Sequence, residues 1–187
     1  MFNIEKYNEI NNFLKKTSNS AKIVAISKNH PQESVLEAIN CGVNIFGENR
    51  VQEAKEKFEN IKKNNPKIKL HLTGPLQSNK VKTAISLFDV FHTLDREKIA
   101  KEFSKHKDLL SKKKIFLQIN IGRENSKSGI YPEHTKDFLF FLNNEMKLII
   151  NGLMCIPPID EDPTYHFKKL SMLANENEIK ELSIGMS

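Results

Sequence analysis

Seven short apolar runs, rich in β-branched residues, recur along this chain, and each is separated from the next by a longer stretch with helical spacing. The runs cover 22–27, 43–46, 68–73, 90–94, 115–121, 148–156 and 182–186. Between them apolar residues return at three- and four-residue steps. Val51, Ala54, Phe58 and Ile61 form one such stripe, and Phe167, Leu170, Leu173 and Ala174 another. Tyr7, Ile10 and Leu14 mark a helix ahead of the first run. Strand–helix alternation at this spacing predicts repeated βαβ units, hence a parallel sheet with right-handed crossovers. Two architectures satisfy it: an open doubly wound sheet or a barrel. The first strand is followed by Ser27-Lys28-Asn29-His30-Pro31, which is not a glycine-rich phosphate loop, and this disfavours a dinucleotide fold.

At 187 residues the chain is long enough for one sizeable core, and 1–187 reads as a single domain without linkers or repeats. The net charge of +6 rests mainly on lysine in a Lys/Asn/Ile-rich sequence. It reads as a solvated surface, not a nucleic-acid footprint, although a modest positive field helps to capture a small anion. No nucleic-acid motif or aromatic stacking cluster accompanies it. Cys41 and Cys155 stand apart from any CxxC or Cys/His cluster, which argues against a disulfide framework and a zinc site. The N-terminus lacks an apolar signal core, and no apolar run approaches a membrane span. The expectation is a cytoplasmic monomer with no membrane partner.

In a parallel barrel, chemistry gathers at the C-terminal ends of the strands. Strand one delivers Lys28, strand two Gly47-Glu48-Asn49, and strand three His71 and Thr73 on one face. Strand four ends in Thr93 and Asp95, strand five carries Gln118 and Asn120, and strand seven ends in Gly185-Met186-Ser187. Lys28 is the sharpest of these. Most lysines are surface charges, but this one directly follows Ile23-Val24-Ala25-Ile26-Ser27. Desolvation at such a position favours the neutral, nucleophilic amine, which condenses with aldehydes. Taken alone, that chemistry fits a lysine aldolase equally well. Asn49 reads as the N-cap of the following helix, helped by Gln52, with a role at the mouth as the alternative. A lone histidine such as His71 is more often structural than functional. Lys127, in Asn125-Ser126-Lys127-Ser128-Gly129, is either a rim cation or part of a flexible polar loop. Gly185-Met186-Ser187 offers a turn glycine and a hydroxyl where barrels commonly hold phosphate.

These residues carry a resemblance. Ala25-Ile26-Ser27-Lys28 resembles the A-V-S-K lysine motif of the pyridoxal phosphate homeostasis protein family, and 46–53 is similar to its F-G-E-N-x-V-Q-E stretch. Residues 71–80 match H-x-x-G-x-L-Q-x-N-K. Gln118-Ile119-Asn120, Ser126-Lys127-Ser128-Gly129, Gly152-Leu153-Met154 and Gly185-Met186-Ser187 resemble further family segments in the same order. The resemblance implies a TIM-type (β/α) barrel like the N-terminal domain of alanine racemase. It also implies pyridoxal 5'-phosphate held as a Schiff base on Lys28. With it come places near the cofactor for Asn49 and Ser187; His71, Lys127 and Met186 are further candidate cofactor-binding residues from the strand ends and loops, and no catalytic residue or metal is expected. Such proteins buffer and deliver the cofactor, which makes apo-enzymes that receive it the candidate protein partners.

The resemblance departs at the C-terminus. Family members continue through a helix and an eighth strand ending R-I-G-[ST]-A-I-F-G. That segment supplies an arginine facing the pyridine ring and N–H groups for the phosphate, whereas this sequence stops at Ser187. The expectation is a barrel lacking its eighth strand, with an incomplete phosphate site and an exposed edge. Three functional readings follow: a cofactor carrier without turnover, a pyridoxal-phosphate-dependent racemase-like enzyme, or a class I aldolase-type barrel that binds substrate on Lys28.

Overall fold

A computed structural model describes residues 2–17 and 20–185. Its strands are β1 (Ala25–Ile26), β2 (Ile45–Glu48), β3 (Lys69–Leu72), β4 (Val90–Leu94), β5 (Lys114–Ile119), β6 (Gly152–Cys155) and β7 (Glu181–Ser183). The helices are α1 (Ile4–Lys16), α2 (Gln32–Asn40), α3 (Val51–Asn64), α4 (Val81–Leu87), α5 (Glu97–Ser104), α6 (Lys107–Leu110), α7 (Thr135–Phe140) and α8 (Pro163–Glu176). The strands pair in sequence order, all parallel, as one sheet. Each strand meets the next through a crossover, so neighbours in sequence become neighbours in space, as the alternation predicts. Among the described residues there is no eighth strand, and β1 and β7 are the edges. Both are very short, which limits the ladder an exposed edge presents.

The sheet has two faces, and period-two alternation assigns the side chains to them. Phe46, Leu70, Leu72, Phe91, Leu117 and Leu153 point outward and pack under the helices with Phe58, Ile85, Phe103 and Leu170. Burying one such side chain is worth roughly 1.5–3 kcal/mol. This face-to-helix layer is the main core. The inner face carries Val90, Phe116 and Met154, with Ile156 against them. The stripe expected on α3 is buried, and on α8 Leu170 and Ala174 are buried with Phe167 and Leu173 packed beside them. The helix expected ahead of the first strand is α1, on which Tyr7 packs against the core and Ile10 is exposed.

Two apolar runs are more than twice as long as the strands they contain. Only 152–155 of the 148–156 run enters the ladder. The lead-in is held by Leu148 N–H on Leu142 O and by Asn151, which both donates to and accepts from Ile115. Of 22–27, only Ala25 and Ile26 pair with β2 through the ladder register.

Candidate functional site

Lys28 lies in a tight turn immediately after β1. Ser27 turns outward, its Oγ 2.7 Å from Glu48 Oε1, so alternation sends Val24 and Ile26 inward, and Lys28 is the next position in that phase. Gly47 confirms the direction: a Cβ there would collide with Ile26 Cδ1 and approach Val24 and Thr73. Lys28 is half-buried, and among the described residues its ammonium has no hydrogen-bond or ion-pair partner. A partly buried amine just past a strand of a parallel sheet stands where such folds carry chemistry, which makes Lys28 the candidate nucleophile.

The backbone around Lys28 is fixed from both sides. Ser27 N–H donates to Gly47 O at 2.9 Å, and His30 N–H closes the turn on Ser27 O at 3.1 Å. Lys57 Nζ also donates to Ser27 O at 2.7 Å. Asn29 takes a left-handed conformation with φ 61° and donates its N–H to Glu53 Oε1 at 2.8 Å. Lys57 ties the carboxylates together, 2.7 Å from Glu48 Oε1 and 3.1 Å from Glu53 Oε1. Glu48 is fully buried, and its second oxygen has no partner. Burial pushes its carboxyl above the usual range, although Lys57 and Ser27 pull the other way. Burial acts on Glu53 in the same sense, but the Asn29 N–H and Lys57 outweigh it and hold Glu53 low. Sequence reasoning missed Glu53 and Lys57. The available signal was that Lys57 stands on the buried stripe beside Ala54, Phe58 and Ile61, four residues after an acid.

Asn49 is not the N-cap of α3. Arg50 occupies that position in an extended conformation without a side-chain cap bond, and Gln52 bonds Glu56 instead. Asn49 reaches sideways, its Oδ1 accepting from Thr73 Oγ1 at 2.8 Å. The ends of β2 and β3 come this close because residue 74 is glycine. A Cβ there would lie 2.6 Å from Asn49 Cα.

His71 is not a lone histidine. It pairs in register with Gly47, one inward step below Thr73. Its Nδ1 lies 2.9 Å from His92 Nε2, and His92 Nδ1 lies 2.7 Å from Ser183 Oγ. His92 stacks on Phe116 at 4.9 Å. Burial lowers both histidines, His71 to about 4 and His92 to about 3, so both are neutral near pH 7.

Lys127 belongs to a pinned loop. Its Nζ lies 2.6 Å from Glu124 Oε2 and donates to Pro157 O at 3.0 Å, joining the loops after β5 and β6. Asn120 accepts from Glu124 N–H and donates to Glu124 O and Lys127 O. Gln118 donates to Ser128 O. Both strand-five amides therefore shape the loop and do not project freely from the mouth. Met186 and Ser187 lie outside the described residues. No helix among the described residues is long and apolar enough to cross a membrane.

Comparison with known proteins agrees with this architecture. Residues 5–185 match the family described as alanine racemase, N-terminal domain. The pyridoxal phosphate homeostasis protein of Pasteurella multocida is 36% identical, over 92% of this chain and 79% of that protein. Its counterpart in Aquifex aeolicus is 35% identical, over 90% and 78%. PipY of Synechococcus elongatus, solved with pyridoxal phosphate bound, superposes with a TM-score of 0.81 at 30% identity, covering 98% of this chain and 89% of PipY. Alanine racemase of Clostridium difficile shares the fold, with a TM-score of 0.68 at 18% identity over 93% of this chain and 49% of the enzyme. The chain belongs to the pyridoxal phosphate homeostasis protein family, built on the alanine racemase N-terminal domain fold.

Proposed function

We propose that this protein holds pyridoxal 5'-phosphate as a Schiff base on Lys28 and serves vitamin B6 and amino-acid homeostasis as a carrier without turnover. The observation that carries the reading is the half-buried Lys28 amine just past β1, which has no hydrogen-bond or ion-pair partner among the described residues. PipY, a homologue of the same fold, was solved with this cofactor bound. When bound, the cofactor supplies an aldehyde that condenses with a primary amine. The donor set fits such a ligand. Lys28 offers the amine, Asn49 an amide at the end of the neighbouring strand, and His71 a neutral ring on the strand after it. Lys127 adds positive charge at the rim, although its ammonium is shared with Glu124 and Pro157. We assign the phosphate end to Met186 and Ser187.

The same reading makes 1–187 one domain and the protein a cytoplasmic monomer. Its protein partners are apo-enzymes that take up the cofactor from an open mouth. The test is borohydride reduction in the presence of pyridoxal phosphate, followed by peptide mapping. Label on Lys28, with loss of label and of visible absorbance in Lys28→Ala, is the expected result. Label on Lys80 or Lys127 with Lys28 spared overturns the assignment. Absence of any cofactor absorbance would instead support an aldolase-type site that binds substrate.

A further inference from the structure

We infer that Glu53 and Lys57 are positioning residues for Lys28: from α3 they hold the 27–30 turn in the conformation that aims the amine into the barrel. This rests on the role proposed for Lys28. The turn has its third residue, Asn29, at φ 61°, as a type II turn requires. A residue with a Cβ enters that region reluctantly, and asparagine less so than most. Among the described residues no partner on the Lys28 side chain steadies it. The steadying bonds fall on the residues either side: Lys57 Nζ on Ser27 O at 2.7 Å, and Asn29 N–H on Glu53 Oε1 at 2.8 Å.

The two anchors are coupled, since Lys57 Nζ also lies 3.1 Å from Glu53 Oε1. Lys57 is itself buried and paired with the fully buried Glu48. The helix does not depend on Glu53 for its docking, because Val51, Ala54, Lys57, Phe58 and Ile61 bury its inner face. The two positions are therefore aimed at the turn, and the preferred conformation of Lys28 is set by the helix that follows β2.

The test compares Glu53→Ala, Glu53→Gln and the double variant Glu53→Ala/Asn29→Gly. Three readouts apply: the dissociation constant for pyridoxal phosphate, hydrogen exchange of the Asn29 amide in cofactor-free protein, and the thermal midpoint of cofactor-free protein. Glu53→Ala is expected to weaken binding about tenfold, equivalent to about 1.4 kcal/mol. It should also speed Asn29 exchange and leave the midpoint nearly unchanged. Glu53→Gln keeps an acceptor for the Asn29 N–H and should bind within about threefold of wild type. Glycine enters the left-handed region freely, so the double variant should recover most of the lost affinity. Unchanged binding in Glu53→Ala overturns the inference. So does failure of Asn29→Gly to rescue, which would make Glu53 a charge and not a turn anchor. If peptide mapping of wild-type protein places the label away from Lys28, the proposed function falls. Exchange at Asn29 still decides the turn.

Discussion

His92 Nδ1 lies 2.7 Å from Ser183 Oγ, although their strands are β4 and β7, separated by β5 and β6 in the sheet. Strands pair about 4.8 Å apart, so a flat sheet would hold these residues roughly 14 Å from each other. The hydrogen bond therefore measures how strongly the sheet curls. With His71 on His92 and Phe116 stacked beneath, it forms the seam of the barrel interior. The chain of bonds runs in one of two senses. Either Ser183 donates to His92 and His92 to His71, or His71 donates to His92 and His92 to Ser183. Neutral imidazoles satisfy either sense, whereas protonating both rings would set His71 Nδ1–H against His92 Nε2–H.

Acid should open this seam. Burial is the main cause of both shifts. His71 is further lowered by Lys62, Lys114 and Lys22 against the pull of Asp89, and His92 by His71. An unfolded histidine titrates near 6.5, above the folded values of about 4 and 3. Between those limits the unfolded chain binds more protons, so stability is full above pH 6.5 and falls as pH drops towards 3. The thermal midpoint of wild type should decline across that window. A His71→Asn/His92→Phe variant should lose the decline between pH 6.5 and 4.5, whatever its absolute stability. A wild-type midpoint that stays flat there would contradict the assignment.

Lys57 carries a second electrostatic prediction. Lys57→Met keeps the stem but leaves Glu48 buried with neither oxygen facing a cation. Breaking a buried pair in this way costs about 3–5 kcal/mol. Burial already raises the Glu48 carboxyl, and losing Lys57 raises it further. A folded pKa above the unfolded 4.5 means the folded variant holds its proton more tightly. Its stability is then greatest at low pH and is lost as pH rises through the folded pKa. Denaturant unfolding of both proteins at pH 5 and pH 8 checks this: the deficit should be smaller at pH 5. An equal deficit at both values would mean the loss comes from packing.

Much of the architecture was legible because the signals are local. Each strand overlaps an apolar run, and the place of Lys28 just past β1 was legible because it directly follows the first of those runs. The histidine seam was not, because it depends on register. Pairing His71 with Val90 brings His92 two residues further along the neighbouring strand, and no local pattern states that pairing. Asn49 was misread for a related reason. Its spacing suits a cap, but the helix starts at Val51 and the amide finds Thr73, a residue 24 positions away. The run at 148–156 overstated its strand because burial, not pairing, makes Leu148 and Ile150 apolar.

Gly74 and Gly42 should behave differently under the same substitution. In Gly74→Ala the new Cβ meets Asn49 backbone, which cannot swing aside. The end of β3 must move, loosening Thr73 on Asn49 and the 2.6 Å bond from Thr93 Oγ1 to Gly74 O. Overpacking of this kind costs about 1–3 kcal/mol, and cofactor affinity should fall with it. Gly42 stands at φ 89° in open space. Gly42→Ala should cost about 1 kcal/mol through backbone strain alone, with affinity unchanged. Equal affinity in the two variants would separate Asn49 from the cofactor.

The protein should not racemise amino acids at an enzyme-like rate. Racemisation needs proton transfer at Cα from opposite faces, so the protein must supply two positioned acid–base groups. Lys28 can serve one face. None of the three tyrosines serves the other. Tyr7 lies on α1 outside the barrel, Tyr131 follows the loop after β5 with its hydroxyl 3.3 Å from Asn125, and Tyr165 is 62% exposed on α8. Of the two inward histidines, His92 has both nitrogens committed, to His71 and to Ser183, which leaves His71. One of its nitrogens is committed to His92, and its pKa of about 4 leaves almost no acid form at pH 7. Cys155 near the end of β6 is no substitute, because burial pushes its thiol up to about 12. Deuterium wash-in at Cα of L-alanine, with a panel of other amino acids, measures the outcome. Turnover on the order of 1 s⁻¹, within the range of ordinary enzymes, would replace the carrier reading with a racemase. Exchange far slower than that, abolished by Lys28→Ala and unaffected by His71→Asn, is the expected result. It would identify Lys28 as the sole acid–base group acting on the bound amino acid.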